Sequence, residues 1–93
     1  MERELEETIK DTIIDKLNRR SYWGRRLINF DDLFSWFKLK ASKREIEKTC
    51  DELFSEGILW KKKGIRKCFR YSLNPKNKRE IELRLEKIYR ELI

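Results

Sequence analysis

Apolar positions change period along the chain, and each change marks an element. Leu5, Ile9, Ile13 and Leu17 recur every fourth residue, with Ile14 widening the stripe, which predicts an amphipathic helix over about residues 3–19. Its acids (Glu2, Glu4, Glu6, Glu7) crowd the start and its bases (Lys16, Arg19, Arg20) the end, as the helix dipole favours. SYWGRRL breaks the period at Gly24, and Tyr22 and Trp23 are expected to pack a loop against the core. In INFDDLFSWF, Asn29 can cap free backbone N–H groups, with Asp32 at the third position and Ile28 placed to staple onto Leu33. A short second helix should run from there to about Lys38, with Leu33, Phe34 and Phe37 on one face. Trp36 falls off that face, either as a partly exposed packing residue or as part of a partner surface.

SKREIEKTCDELFSEG carries the clearest punctuation. Ser42 and Glu45 have capping-box spacing, and Ile46, Cys50, Leu53 and Phe54 form the expected apolar stripe of a third helix over 43–56. Gly57 stands where a left-handed residue ends a helix, with Ile58 placed to touch Leu53. The period then drops to two. Phe69, Tyr71 and Leu73 alternate with Cys68, Arg70 and Ser72, and ILWKK mirrors them across a turn at Lys63–Gly64, predicting a β-hairpin with a cationic tip. Asn74 and Pro75 end it. A last helix is expected from about Asn77, with Glu80 as capping partner, to the C-terminus. Ile81, Leu85, Ile88 and Leu92 follow the 4-3-4 spacing of a helix that pairs with another helix.

Composition narrows the function classes. Ninety-three residues make one small domain, 1–93, close to the size at which a partner subunit helps to bury a core. No stretch approaches the roughly 18 apolar residues of a membrane span, and MERELEETIK is acidic where a signal peptide is basic and then apolar. An intracellular protein with no membrane partner is expected. The chain has no His, so Cys/His and Ser/His catalytic pairs are excluded, and two cysteines 18 residues apart give no zinc pattern. Without a glycine-rich phosphate loop either, no enzyme and no cofactor are expected. The lack of His and Gln beside abundant Lys, Arg and Glu follows the drift of hyperthermophile proteins, among which intracellular disulfides do occur.

Charge singles out the hairpin. The net charge is +7, and Lys61, Lys62, Lys63, Arg66, Lys67 and Arg70 follow one another with no acid among them. Long cationic side chains around one Gly can settle on successive phosphates without demanding a base sequence.

Helix, short helix, capped helix and basic hairpin come in the order of a winged helix-turn-helix. From about Ile9 to Asn74 the chain resembles that family, in particular small regulators of the MarR and PadR kinds. The resemblance is carried by Ser42–Lys43–Arg44–Glu45–Ile46, then Leu53, Gly57 and Leu59, and a hairpin ending Tyr71–Ser72–Leu73–Asn74. It implies an α+β fold: a winged helix-turn-helix with a three-helix core, a β-hairpin wing and an extra C-terminal helix, assembled as a homodimer. The expected parts are an N-terminal helix over 1–20, the helix-turn-helix over 29–57, the wing over 58–74 and a dimerisation helix over 77–93. Helix 43–56 would enter the major groove of double-stranded DNA, the wing would follow the backbone or adjacent minor groove, and Leu5, Ile9, Ile81, Leu85, Ile88 and Leu92 would form the two-fold interface.

On a helical wheel the positions opposite the core of the third helix are Arg44, Lys48, Asp51 and Ser55, so its outward face is basic only in its first half. Ser42, Lys43, Arg44 and Lys48 are the expected contacts there, and Lys61, Lys62, Lys63, Arg66 and Lys67 those of the wing. Five acids on this helix against three bases make base-specific readout less secure than DNA binding itself. The expected role is a dimeric DNA-binding transcriptional regulator, with viral or plasmid transcription as a candidate setting. The alternative is a winged-helix interaction module whose wing meets an acidic partner protein, and RNA binding is weaker because no aromatic stacking platform is visible. Cys50 falls on the core stripe and Cys68 on the strand face away from Phe69 and Tyr71, a placement that does not favour an intrachain bridge. A symmetric bridge between subunits is the disulfide left open.

Overall fold

The computed structural model of the protein describes residues 2–37, 41–64 and 68–91. It is an α+β fold: α1 (Glu2–Arg19), β1 (Ile28–Asn29), α2 (Phe30–Phe34), α3 (Lys43–Ser55), β2 (Leu59–Lys63), β3 (Phe69–Leu73), a 3-10 turn (Pro75–Asn77) and α4 (Lys78–Glu91). The strands form one antiparallel sheet in the order β1-β3-β2.

Helix α1 runs through the middle of the core because its fourfold stripe is apolar along its whole length. Ile9, Ile13, Ile14 and Leu17 are all buried, and the helix packs against α3 and α4. Here the structure corrects the interface expected from sequence. Ile9, Ile81, Leu85 and Ile88 meet inside one chain, each no more than 9% exposed, so the described part of the 4-3-4 stripe of α4 is covered by α1 of the same molecule. A helix-pairing stripe specifies an apolar partner and says nothing of whose it is. The side chain of Leu5, and Leu92, lie outside the described residues.

The second correction concerns residues 28–34. Ile28 pairs with Tyr71 and Asn29 with Arg70, so this stretch supplies a third strand before α2 begins. Asn29 sits in extended conformation at the N-cap position but makes no side-chain cap bond, and α2 ends at Phe34, with single turns closing as far as Phe37. Pairing with β3 holds the backbone that a capping reading assigns to the helix start. Trp36 packs against the core with its ring beneath Arg20, 5.2 Å away, and Lys16, 5.9 Å away.

Segment 22–24 closes over the far end of β3. The Leu73 N–H donates to the Tyr22 carbonyl at 2.8 Å, and the Gly24 N–H donates to the Leu73 carbonyl at 3.0 Å. The Ser72 hydroxyl donates to the Gly24 carbonyl at 2.7 Å. Ser72 is therefore buried although the strand alternation places it on the polar face.

Glu56, at the end of α3, joins three helices by accepting from Lys10 Nζ of α1 at 3.2 Å and from Arg84 of α4 at 2.9 Å. Burial opposes its charge, but the two hydrogen bonds and the two cations outweigh that and hold the carboxyl below its ordinary pKa. A carboxylate depressed on folding adds stability above its unfolded value of about pH 4.3, and that stability is lost as pH falls through the folded value. The melting temperature of the native protein should therefore exceed that of Glu56→Gln at neutral pH, and the gap should narrow as pH falls below the ordinary carboxylate value of about 4.3. A gap independent of pH would show that the clasp does not act through this charge.

Candidate nucleic-acid interface

Helix α3 is delimited by its own residues. The Ser42 hydroxyl accepts from the Glu45 N–H at 3.2 Å, capping the start. At the other end Gly57 takes φ +80°, its N–H donates to the Phe54 carbonyl, and the Ile58 N–H donates to the Leu53 carbonyl. These two bonds are the Schellman pair that the Gly57–Ile58 sequence predicts.

The buried side of α3 is Ile46, Thr49, Cys50 and Leu53, whereas Phe54 is 48% exposed. Phe54 therefore leaves the stripe to which its spacing assigned it. At roughly 100° per residue, Thr49 and Phe54 flank the stripe at similar angles of about 70°, so the approach of neighbouring elements decides between them. Thr49 offsets its burial by donating its hydroxyl to the Glu45 carbonyl at 2.9 Å.

All four expected helix contacts are exposed: Ser42, Lys43, Arg44 and Lys48. Lys43 lies 3.4 Å from Asp31 on α2, with its ammonium 5.9 Å from the Phe30 ring. Arg44 and Lys48 have no carboxylate partner among the described residues.

In the hairpin, register sorts the cations. Lys61 is opposite Tyr71, Lys62 opposite Arg70, and Lys63 opposite Phe69. Directly opposed residues share a sheet face, so Lys62 and Arg70 lie together on the face away from Tyr71. Both are exposed, and neither has a carboxylate partner among the described residues. Arg70 belongs to the cationic run read from sequence but was not among the expected wing contacts; the alternation that takes it off the apolar face was the available signal. Lys63 is also exposed. Lys61 differs: it is half-buried, and its ammonium lies 2.7 Å from Asp51 Oδ1 and 4.0 Å from the centre of the Phe69 ring. Arg66 and Lys67 lie outside the described residues.

Gly64 is required by close approach. Its N–H donates to the Cys68 carbonyl at 2.7 Å, and a Cβ there would come within 2.9 Å of that oxygen and 3.1 Å of Arg70 Cγ and Cδ. The Arg70 stem thus runs beside the glycine.

Both cysteines are free, Cys50 buried and Cys68 half-buried. Burial first, then the neighbouring Asp51 and Glu47, push the Cys50 thiol up to about 12. A thiol that is both protonated and inaccessible is inert, so Cys50 cannot join the intersubunit bridge left open by sequence. A thiol reagent at pH 8 should modify Cys68 alone in the folded protein and Cys50 only after denaturation, as read by mass. Rapid double modification would contradict this burial.

Among the described residues no cluster of metal-ligating side chains occurs, and no helix is long and apolar enough to cross a membrane. A crevice of about 230 Å³ separates α2 and α3 from the wing, lined by Phe30, Lys43, Glu47, Cys68 and Tyr71 among others. The chain matches no protein-family model, no curated protein and no solved structure, so pattern and geometry alone carry the functional reading.

Proposed function

We propose that the chain is a winged helix-turn-helix protein that binds double-stranded DNA and regulates transcription, with α3 in the major groove and the β2–β3 hairpin as a wing on the phosphate backbone. The element order and the sheet order β1-β3-β2 support the fold. The observation that carries the function is the exposed Lys62–Arg70 pair. Like charges directly opposite in a sheet destabilise it, and a bound phosphate would turn that repulsion into attraction for both. Lys63, across from Phe69 on the other sheet face, and the basic first half of α3 add further exposed cations to the wing and the helix. At that helix start Arg44 has the reach to read a guanine edge, a contact worth roughly 1–3 kcal/mol of discrimination.

The described part of the α4 stripe packs on α1 of its own chain, and the binding test below needs only one chain on one duplex. The test is a fluorescence-anisotropy titration of a short duplex at several salt concentrations. Binding whose logarithm falls steeply and linearly with log salt is expected, at about 0.9 per phosphate neutralised. No binding at about 50 mM salt, where phosphate contacts are strongest, would overturn the reading and leave the protein-docking module in its place.

A further inference from the structure

Among the described wing cations, Lys61 is the one packed against the molecule. Its ammonium donates to Asp51 Oδ1 on α3 at 2.7 Å and stands over two rings, 4.0 Å from the centre of Phe69 and 6.0 Å from that of Phe54. Only 19% of the Lys61 side chain is exposed. Reaching a phosphate would break a short charge-assisted bond and withdraw the stem from the Phe69 face, so the ammonium would exchange one anion for another with little gain.

We propose that Lys61 is a positioning residue: it pins the wing to α3 through Asp51, sets the spacing between the two DNA-contacting elements, and neutralises no phosphate. This assignment rests on the DNA-binding reading above. It divides KKK by function, with Lys61 as a strut and Lys62 and Lys63 as contacts. It also gives Asp51, an acid on the outward half of α3, a reason to lie beside a polyanion.

Salt dependence separates a strut from a contact. Lys61→Met keeps the stem over Phe69 and removes the charge; it should weaken duplex binding by roughly threefold while leaving the salt slope at the native value, because no counterion-releasing contact is lost. Asp51→Asn should weaken binding to a similar degree. Since that change removes a negative charge beside the duplex, weaker binding has no direct electrostatic explanation. The double variant should bind no worse than either single one, and Lys61→Arg, which preserves the pair, should behave as native. A slope shallower by about 0.9 in Lys61→Met, or tighter and steeper binding in Asp51→Asn, would make Lys61 a phosphate ligand and overturn the proposal.

Amide hydrogen exchange in the free protein tests the strut without DNA. The Lys62 and Gly64 amides, which lie in the hydrogen-bonded pairs of the hairpin, should exchange several-fold faster in Lys61→Met and in Asp51→Asn, with no further gain in the double variant. Unchanged exchange would overturn the strut even where DNA binding stands. Failure of the native protein to bind duplex would remove the DNA reading, while faster exchange would still locate the pin.

Discussion

Changing Lys62, Lys63 and Arg70 together to alanine is expected to weaken duplex binding about 500-fold at roughly 0.1 M salt and to flatten the salt slope by about 2.7. Each exposed cation that neutralises one phosphate contributes about 0.9 to the slope, so three account for the whole change when the curves meet near 1 M salt. Lys62 and Lys63 are exposed, and their loss should not lower the melting temperature, since removing Lys62 relieves its repulsion with Arg70. Because the Arg70 stem lies beside Gly64, the Lys62/Lys63 double variant serves as a control free of that contact, with an expected slope change of about 1.8. Anisotropy titrations of all three proteins against one duplex provide the measurement. A slope equal to the native one in a triple variant that melts normally would remove the hairpin from the DNA interface, whatever its effect on affinity.

Leu53→Ala should lose about 2–5 kcal/mol of folding stability, the range for truncating a fully buried leucine that leaves a cavity. Small domains hold only about 5–15 kcal/mol in total, so the loss is a large share and the variant should unfold at markedly lower urea. Leu53 is 0% exposed in the common core, and its carbonyl accepts the Ile58 N–H that closes α3. The matched comparison is Phe54→Ala. Although the sequence places both residues on one stripe, Phe54 is 48% exposed, so its replacement should cost under about 1 kcal/mol. Urea titration of the two variants checks the assignment, and equal destabilisation would return Phe54 to the core.

Much of this architecture was legible before any coordinate. Ser42 and Gly57 bounded α3 correctly because capping and left-handed termination are local: the bonds join residues at most five positions apart. The helices around Ile9–Leu17 and Ile81–Ile88 were legible because a fourfold apolar period leaves few other ways to bury those side chains. The hairpin followed from its twofold period. Less legible were Asn29, read as a cap while its backbone pairs with β3, and Ser72, placed on the strand face opposite the apolar one while segment 22–24 covers it. Two residues of strand carry no period, and a loop that folds back over a sheet leaves no trace in the alternation beneath it.

The candidate site divides in the same way. The sequence by itself determined where positive charge concentrates, which helix carries a capped basic start, and that no histidine is present to act. Those are properties of residue type and short-range spacing. Only the tertiary structure decided that Lys61 pairs with Asp51 while Lys62 faces Arg70, that Phe54 is outside and Thr49 inside, and that the α4 stripe meets α1 of its own chain. Each of these is a choice between partners that local pattern leaves equivalent. Strand register and the direction from which one element approaches another settle it, and both come from contacts between residues distant in sequence.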